Sequence, residues 1–379
     1  VKFNRYAVGV AVVAAAALSL TACSSGGSGS PSTSSSTPSA SAPVAAAKVD
    51  PSLTGTITSG GSSAQANAEA AWTAAFTAQA SGVTINYDKS QGSGGGVTNW
   101  LNGSYDFAGS DAPLTAAEQT QSQTICGPGG ALDIPAYLSG VNIIYNLPGV
   151  TSLKLDSEVI AKIFSKSITT WNDPAIAALN SGVTLPSNPI TVVVRSDGSG
   201  TTDNFTTYLH DTQPSIWTNA PSTAWPITGE SGQQGGTGVV NAVKAGSYTI
   251  GYADQSSATG VPAAAVEVGS TGKFVKYSAS GATNAFAAAA TTTPSTKGDL
   301  TQTLDYTKIT NPNSYPIPLQ SYQILCTTFK SAAQAKLTKA YIGFVATAEG
   351  QAISAKNAGS APLPAKILAA AQNSLKLVK

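Results

Sequence analysis

The stretch Val192-Val193-Val194-Arg195-Ser196-Asp197-Gly198-Ser199-Gly200-Thr201 decides how this chain is read. Three β-branched residues in a row predict the end of a buried strand. An arginine and an aspartate follow, and then a tight turn that opens a helix. Phe205, Tyr208 and Leu209 repeat at helical spacing, and Ser199 stands where an N-cap belongs. A helix N-terminus offers unpaired N–H groups and the positive end of a dipole. Glycines let that backbone come close to a ligand. Arg195 adds a fork of donors suited to phosphate or carboxylate. The stretch predicts a small oxyanion site. A plain surface strand-turn-helix with a structural Arg–Asp pair would use the same letters, so the flanking chain has to decide.

Working outward, the pattern recurs. Leu53 to Thr58 alternates like a strand, Ser59 to Ser63 is a Gly-rich turn, and a helix follows with Ala68, Trp72 and Phe76 on one face. Val83 to Tyr87 is a strand, Gln91 to Gly96 a turn, and Val97 to Leu101 begins a helix. Tyr105 to Leu114 contains a short strand that ends in Ser110-Asp111. In open α/β sheets, ligands bind at the carboxyl ends of strands. Several Gly/Ser turns at strand ends in one α/β chain point to one shared site.

Composition limits the function. The chain has 379 residues, enough for roughly two domains. Only 10% of residues are charged, against a usual share of about 25%. Without Lys2 and Arg5, which lie in a segment expected to be removed, the bulk charge is close to zero. Bulk electrostatics therefore does not gather anions and argues against nucleic acid. The single His210 leaves no second imidazole for a His-rich metal site; no metal and no cofactor are expected. Of three cysteines, Cys126 and Cys326 permit one disulfide in an oxidising compartment.

Residues 1–23 read as a lipoprotein signal. Lys2 and Arg5 form the positive start, Ala7 to Leu20 the apolar run, and Leu20-Thr21-Ala22-Cys23 resembles a bacterial lipobox. By that resemblance Cys23 is lipidated. Residues 24–49, rich in Ser, Gly, Pro and Ala, predict a flexible tether. Further on, Ile134 to Asn146 predicts a long strand, Ser157 to Phe164 a helix, and Trp171-Asn172-Asp173-Pro174 a helix start. Gly229 to Gly238 reads as a mobile surface loop, and residues 281–300 are loosely patterned. Ile250 to Tyr252 and Tyr322 to Cys326 are short strands, and two helices, 331–347 and 364–376, close the chain.

Taken together, residues 50–379 resemble the phosphate-binding receptors of bacterial ABC importers. The most specific piece is R-x-D-G-S-G-T, at Arg195, Asp197, Gly198, Ser199, Gly200 and Thr201. The family's G-S-x-G-G-V loop corresponds to Gly92 to Val97, with Gly94 in place of a serine, and S-D-A-P-L stands intact at Ser110 to Leu114. The family's G-x-T-F turn corresponds to Gly60-Gly61-Ser62-Ser63, where Ser62 keeps the hydroxyl. The resemblance implies a type II periplasmic-binding-protein fold: two α/β lobes joined by two crossing strands, with the ligand in the cleft. Lobe I is then 50–139 plus 318–379 and lobe II 140–317, with both Cys126 and Cys326 in lobe I. Ser62, Ser63, Ser93 and Asp111 would meet phosphate from one lobe, and Arg195, Ser199, Gly200 and Thr201 from the other, with Asp197 orienting Arg195. The implied protein is a monomeric receptor, held at the extracytoplasmic face of the cell membrane through lipid (palmitate among its acyl chains) on Cys23. It would deliver inorganic phosphate to the transmembrane permease subunits of an ABC transporter.

Other readings make different demands. A phosphate-ester hydrolase would use Ser199 or Ser93 as nucleophile, but no histidine lies in these motifs. An adhesin keeping only the fold would bind no oxyanion. A receptor for sulfate, molybdate or a phosphonate would share the fold, and Asp111, an acceptor facing an anion, is the residue that separates it from a phosphate receptor.

Overall fold

The computed structural model describes residues 48–379, so the signal segment, Cys23 and most of the tether lie outside the described residues. A twisted sheet of eight strands runs through the molecule. Its order is Gly82–Asp88, Thr54–Gly61, Phe107–Ser110, Pro318–Cys326, Ala131–Asn146, Thr249–Asp254, Thr191–Arg195, Ser231–Gln233. The strand Ala131–Asn146 organises it. From Ala131 to Gly140 it pairs with the return strand Pro318–Cys326, and from Val141 to Asn146 it pairs with Thr249–Asp254. Fifteen of its sixteen residues are buried, as expected of a strand covered on both faces.

That change of partner separates two apolar cores. One gathers Ile57, Trp72, Phe76, Phe107, Tyr341 and Phe344. The other gathers Ile143, Phe164, Trp171, Phe205, Trp217 and Tyr252. The result is a mixed α/β fold of two lobes. Parallel pairs flank the centre in each lobe, Thr54–Gly61 with Gly82–Asp88 in one and Thr191–Arg195 with Thr249–Asp254 in the other. Their carboxyl ends lead into helices that face the division. Cys126, ending the helix Ala116–Cys126, and Cys326, ending the return strand, are joined in a disulfide within one small apolar cluster.

Several elements differ from expectation. Gly229 to Gly238 is not a mobile loop. It holds the short strand Ser231–Gln233, paired with Val193 to Arg195, and then the helix Gly235–Ala245. The strand lacks apolar residues because it is a half-exposed edge. The glycines at 92–96 belong to the helix Gly92–Leu101 and not to a turn before it. The loosely patterned stretch contains the helix Ala279–Ala289 and a hairpin. A third closing helix, Ala348–Ala358, stands between the two expected ones. The hairpin's connection brings Asp299 and Thr301 against the buried Asp133 of the long strand: Asp133 N–H donates to Asp299 at 3.0 Å, and Thr301 donates to Asp133 at 3.1 Å.

Candidate functional site

Four helical starts converge where the lobes meet. Ser62 caps the first: its Oγ accepts from Ala64 N–H at 3.1 Å. Gly92, at φ 66°, opens the second, and Ser93 Oγ accepts from Asp111 N–H at 3.2 Å. Ser199 is the N-cap of the helix Gly200–Thr212, accepting from Thr202 N–H at 3.2 Å. The helix Gly235–Ala245 is the fourth. Its first two N–H groups are engaged: Gly235 donates to Asp197 and Gly236 to Ser63 Oγ, each at 3.1 Å. Sequence reasoning missed this fourth turn, because Ser231-Gly232-Gln233 lacks the aliphatic run that marked the other strands.

Arg195 ends its strand at 4% exposure, gripped by Asp197. Nε donates to Oδ1 at 2.6 Å and Nη2 donates to Oδ2. Burial pushes the Asp197 carboxyl up, but the bonds and charge of Arg195 outweigh it and hold the carboxyl below its ordinary value. A guanidinium has five donors in a rigid fork. The others find no protein acceptor among the described residues, so Arg195 is fixed in place and still has donors to offer. Tyr252 OH accepts from Arg195 N–H at 3.3 Å and lies 2.7 Å from Thr202 Oγ1, which ties the strand end to the helix start.

Asp111 is the opposite kind of group. It is 2% exposed and accepts from Ser62 Oγ and Ser321 Oγ, both at 2.5 Å. Burial pushes its pKa up to about 6; the two hydroxyls and Arg195 pull it down, and Asp254 opposes them. Ser321 lies on the return strand and was not foreseen. No local motif marks it, and only the folded sheet brings it to Asp111.

The lobes are closed against each other. Gly94 N–H donates to Gly198 O at 3.0 Å. Asn204 Nδ2 donates to Asp111 O at 2.6 Å, Asn67 Nδ2 to Ser256 O at 3.1 Å, and Ser256 Oγ to Ala64 O at 2.7 Å. Ser62, Ser63, Ser93 and Asp111 therefore face the division from one side, and Arg195, Asp197, Ser199, Gly200 and Thr201 from the other. Thr201 lies buried in the first turn of its helix. The arrangement can surround a small anion with donors while presenting it with one carboxylate.

Similarity to known proteins covers most of the chain. The PBP superfamily domain matches residues 37–349. Phosphate-binding protein PstS 3 of Mycobacterium leprae is 36% identical over 290 residues, 76% of this chain and 78% of that protein. Phosphate-binding protein PstS 2 of Mycobacterium tuberculosis is 35% identical over 323 residues, 84% of this chain and 86% of that protein. The crystal structure of a phosphate-binding protein from Stenotrophomonas maltophilia superposes with a TM-score of 0.62 at 20% identity, covering 84% of this chain and 93% of that one.

Proposed function

Because the chain belongs to the phosphate-binding proteins of the PBP superfamily, we propose that it binds inorganic phosphate in the cleft of Ser62, Ser63, Ser93, Asp111, Arg195, Ser199, Gly200 and Thr201. It is an extracytoplasmic receptor that delivers phosphate to the permease subunits of an ABC transporter. The lobes are 50–139 with 318–379, and 140–317. The protein acts as a monomer, anchored by lipid on Cys23, and performs no chemistry on its ligand. Ser199 Oγ accepts as a cap, and His210 sits at the far end of that helix, so Ser199 has no histidine base beside it to make it a nucleophile.

The observation that supports phosphate over other oxyanions is Asp111. A buried carboxylate can only accept. Phosphate near neutral pH keeps a proton to donate, whereas sulfate has none and would set a bare oxygen against the carboxylate. Sites built around a buried hydrogen bond reject an analogue lacking it by roughly 10⁴–10⁵. Calorimetry on ligand-stripped protein with phosphate, arsenate, sulfate and molybdate tests the reading. Phosphate and arsenate should bind and sulfate should be strongly disfavoured; sulfate binding as tightly as phosphate would sink it.

A further inference from the structure

Asp111 meets two hydroxyls, and the one from the return strand has a set direction. Ser321 Oγ accepts from Gln65 Nε2 at 2.8 Å and lies 2.5 Å from Asp111 Oδ1. The orientation of the Gln65 amide is itself fixed, because Nε2 also donates to the carbonyl of Tyr322 at 2.7 Å. Turning that amide over would set oxygen against oxygen. A hydroxyl has one hydrogen. With Gln65 donating to it, Ser321 has that hydrogen left for Asp111. The relay runs one way, from a backbone carbonyl that fixes Gln65, through Ser321, to the carboxylate. All its side chains are buried. The strand register slips between Ser321 and Tyr322, and such an irregularity is a common device for re-aiming a side chain.

We propose that Ser321, oriented by Gln65, is the positioning residue that holds Asp111 as a proton acceptor and so sets the preference for protonated over unprotonated oxyanions. The proposal rests on the phosphate reading of the cleft. Ser62 also donates to Asp111, but from a turn already assigned to the ligand. Ser321 belongs to none of the helix-opening turns, and the bond it donates goes to Asp111.

The other groups around Asp111 do not replace it. Arg195, across the division, favours the anion, and Asp254, at the end of its strand, opposes it. Tyr137 on the long strand and Tyr87 on the outer strand are phenols kept neutral chiefly by burial, with the charge of Asp111 adding to it. Burial is the largest influence, and the Ser321 bond is the first to counter it. Without that bond Asp111 takes up a proton at higher pH. A protonated Asp111 donates, and a donor accommodates sulfate. Phosphate can either donate or accept, so the two anions respond differently to pH.

The test measures phosphate and sulfate dissociation constants between about pH 5 and 8.5 at one ionic strength, and follows the Asp111 carboxyl by ¹³C spectroscopy in ligand-stripped protein. In wild type, sulfate should tighten by about tenfold for each unit that pH falls towards the Asp111 midpoint and level off below it. In Ser321→Ala that levelling-off should come about one unit higher, cutting the discrimination at pH 7 by about fivefold. Ser321→Thr should restore the wild-type profile, and Gln65→Leu should shift it in the direction of the Ala variant. The carboxyl midpoint reads the proposal directly, whatever happens to affinity. An unchanged midpoint and ratio in Ser321→Ala, with wild type binding phosphate normally, would overturn the role of Ser321 alone. Wild type that binds no phosphate would overturn the site reading and this proposal with it.

Discussion

At the scale of single residues, the buried charges divide by what surrounds them. Arg195 is desolvated but held by Asp197. Arg195→Ala should cost about 2–5 kcal/mol of phosphate binding, as for a buried charge-assisted contact. Arg195→Lys should recover only part, because a fork becomes a point charge. Calorimetry decides, and an Ala variant within twofold of wild type would remove Arg195 from the site. Glu69 has no basic partner and shows its burial differently. It is 1% exposed, receives bonds of 2.7 Å from Gln323 Nε2 and Tyr341 OH, and is pushed by burial up to about 7. The folded protein therefore holds this proton where the unfolded chain has lost it. The stability this gives is full below the unfolded value of 4.5 and is lost as pH rises through about 7. Its size is on the order of 3 kcal/mol. Asp133, raised to about 8 by burial and Asp299, adds the same sign. Urea midpoints should fall between pH 5 and pH 8, and Glu69→Gln should reduce that fall. The unpartnered Oε1 of Gln323 can receive the new amide once the Gln323 side chain turns. A Gln variant with the full wild-type pH dependence would show that Glu69 does not hold the proton.

At the scale of elements, the site consists of helix starts brought so close that side chains are excluded. A Cβ on Gly200 would lie 2.6 Å from the Asp111 backbone carbon, and one on Gly92 would lie 2.6 Å from Gly198 O. Gly200 sits in the first turn of a helix, where alanine is intrinsically the better residue by up to about 1 kcal/mol. Gly200→Ala should therefore leave each lobe stable yet keep the two from closing fully. Losing one or two closing bonds of about 1 kcal/mol each weakens phosphate by roughly five- to thirtyfold. Calorimetry of ligand and of unfolding separates the two effects; wild-type affinity would mean that the closed geometry is not the bound one. These starts were largely legible in the sequence. Ser199 and Asp173 are caps with local signatures, and Ser157–Phe164 shows its apolar face directly. What escaped was non-local. The helix Ala348–Ala358 is masked by polar composition, and Ser231–Gln233 becomes a strand only because Val193 to Arg195 pairs with it. Ser321 and Gln65 lie 256 positions apart, and no spacing rule connects them.

At the scale of the whole molecule, the design is two cores sharing one sheet, crossed by the long strand and the return strand. The near-neutral surface leaves attraction of the anion to local donors, so phosphate association should depend only weakly on salt compared with a receptor that steers by net charge. The proposed anchor is separate from binding. Cys23→Ser should abolish labelling by a radioactive fatty acid and release the protein while calorimetric affinity stays the same; label retained on the variant would remove Cys23 as the anchor. The disulfide is separate as well, since Cys126 and Cys326 share one apolar cluster and staple a single lobe. Replacing both with serine should lower stability by about 2–4 kcal/mol. Closure should survive that change, and this distinguishes a hinge from a general loosening. The direct bonds that close the lobes beside the cleft, such as Gly94 to Gly198 and Asn204 to Asp111, are each worth only about 1 kcal/mol net. Without ligand they leave Arg195 facing Asp111 across the division with donors unsatisfied, so separation lets water solvate both lobes. An anion between the lobes reverses the balance, because only the closed state gives it donors from both sides, and a ligand shifts an equilibrium by its differential affinity for the two states. Small-angle scattering should therefore show a smaller radius of gyration with saturating phosphate, in wild type and in the double-serine variant alike. Sulfate at the same concentration should leave the profile unchanged. If phosphate binds by calorimetry and the profile does not move, the lobes do not hinge. If only the disulfide-bonded protein contracts, the bridge belongs to the hinge and not to one lobe.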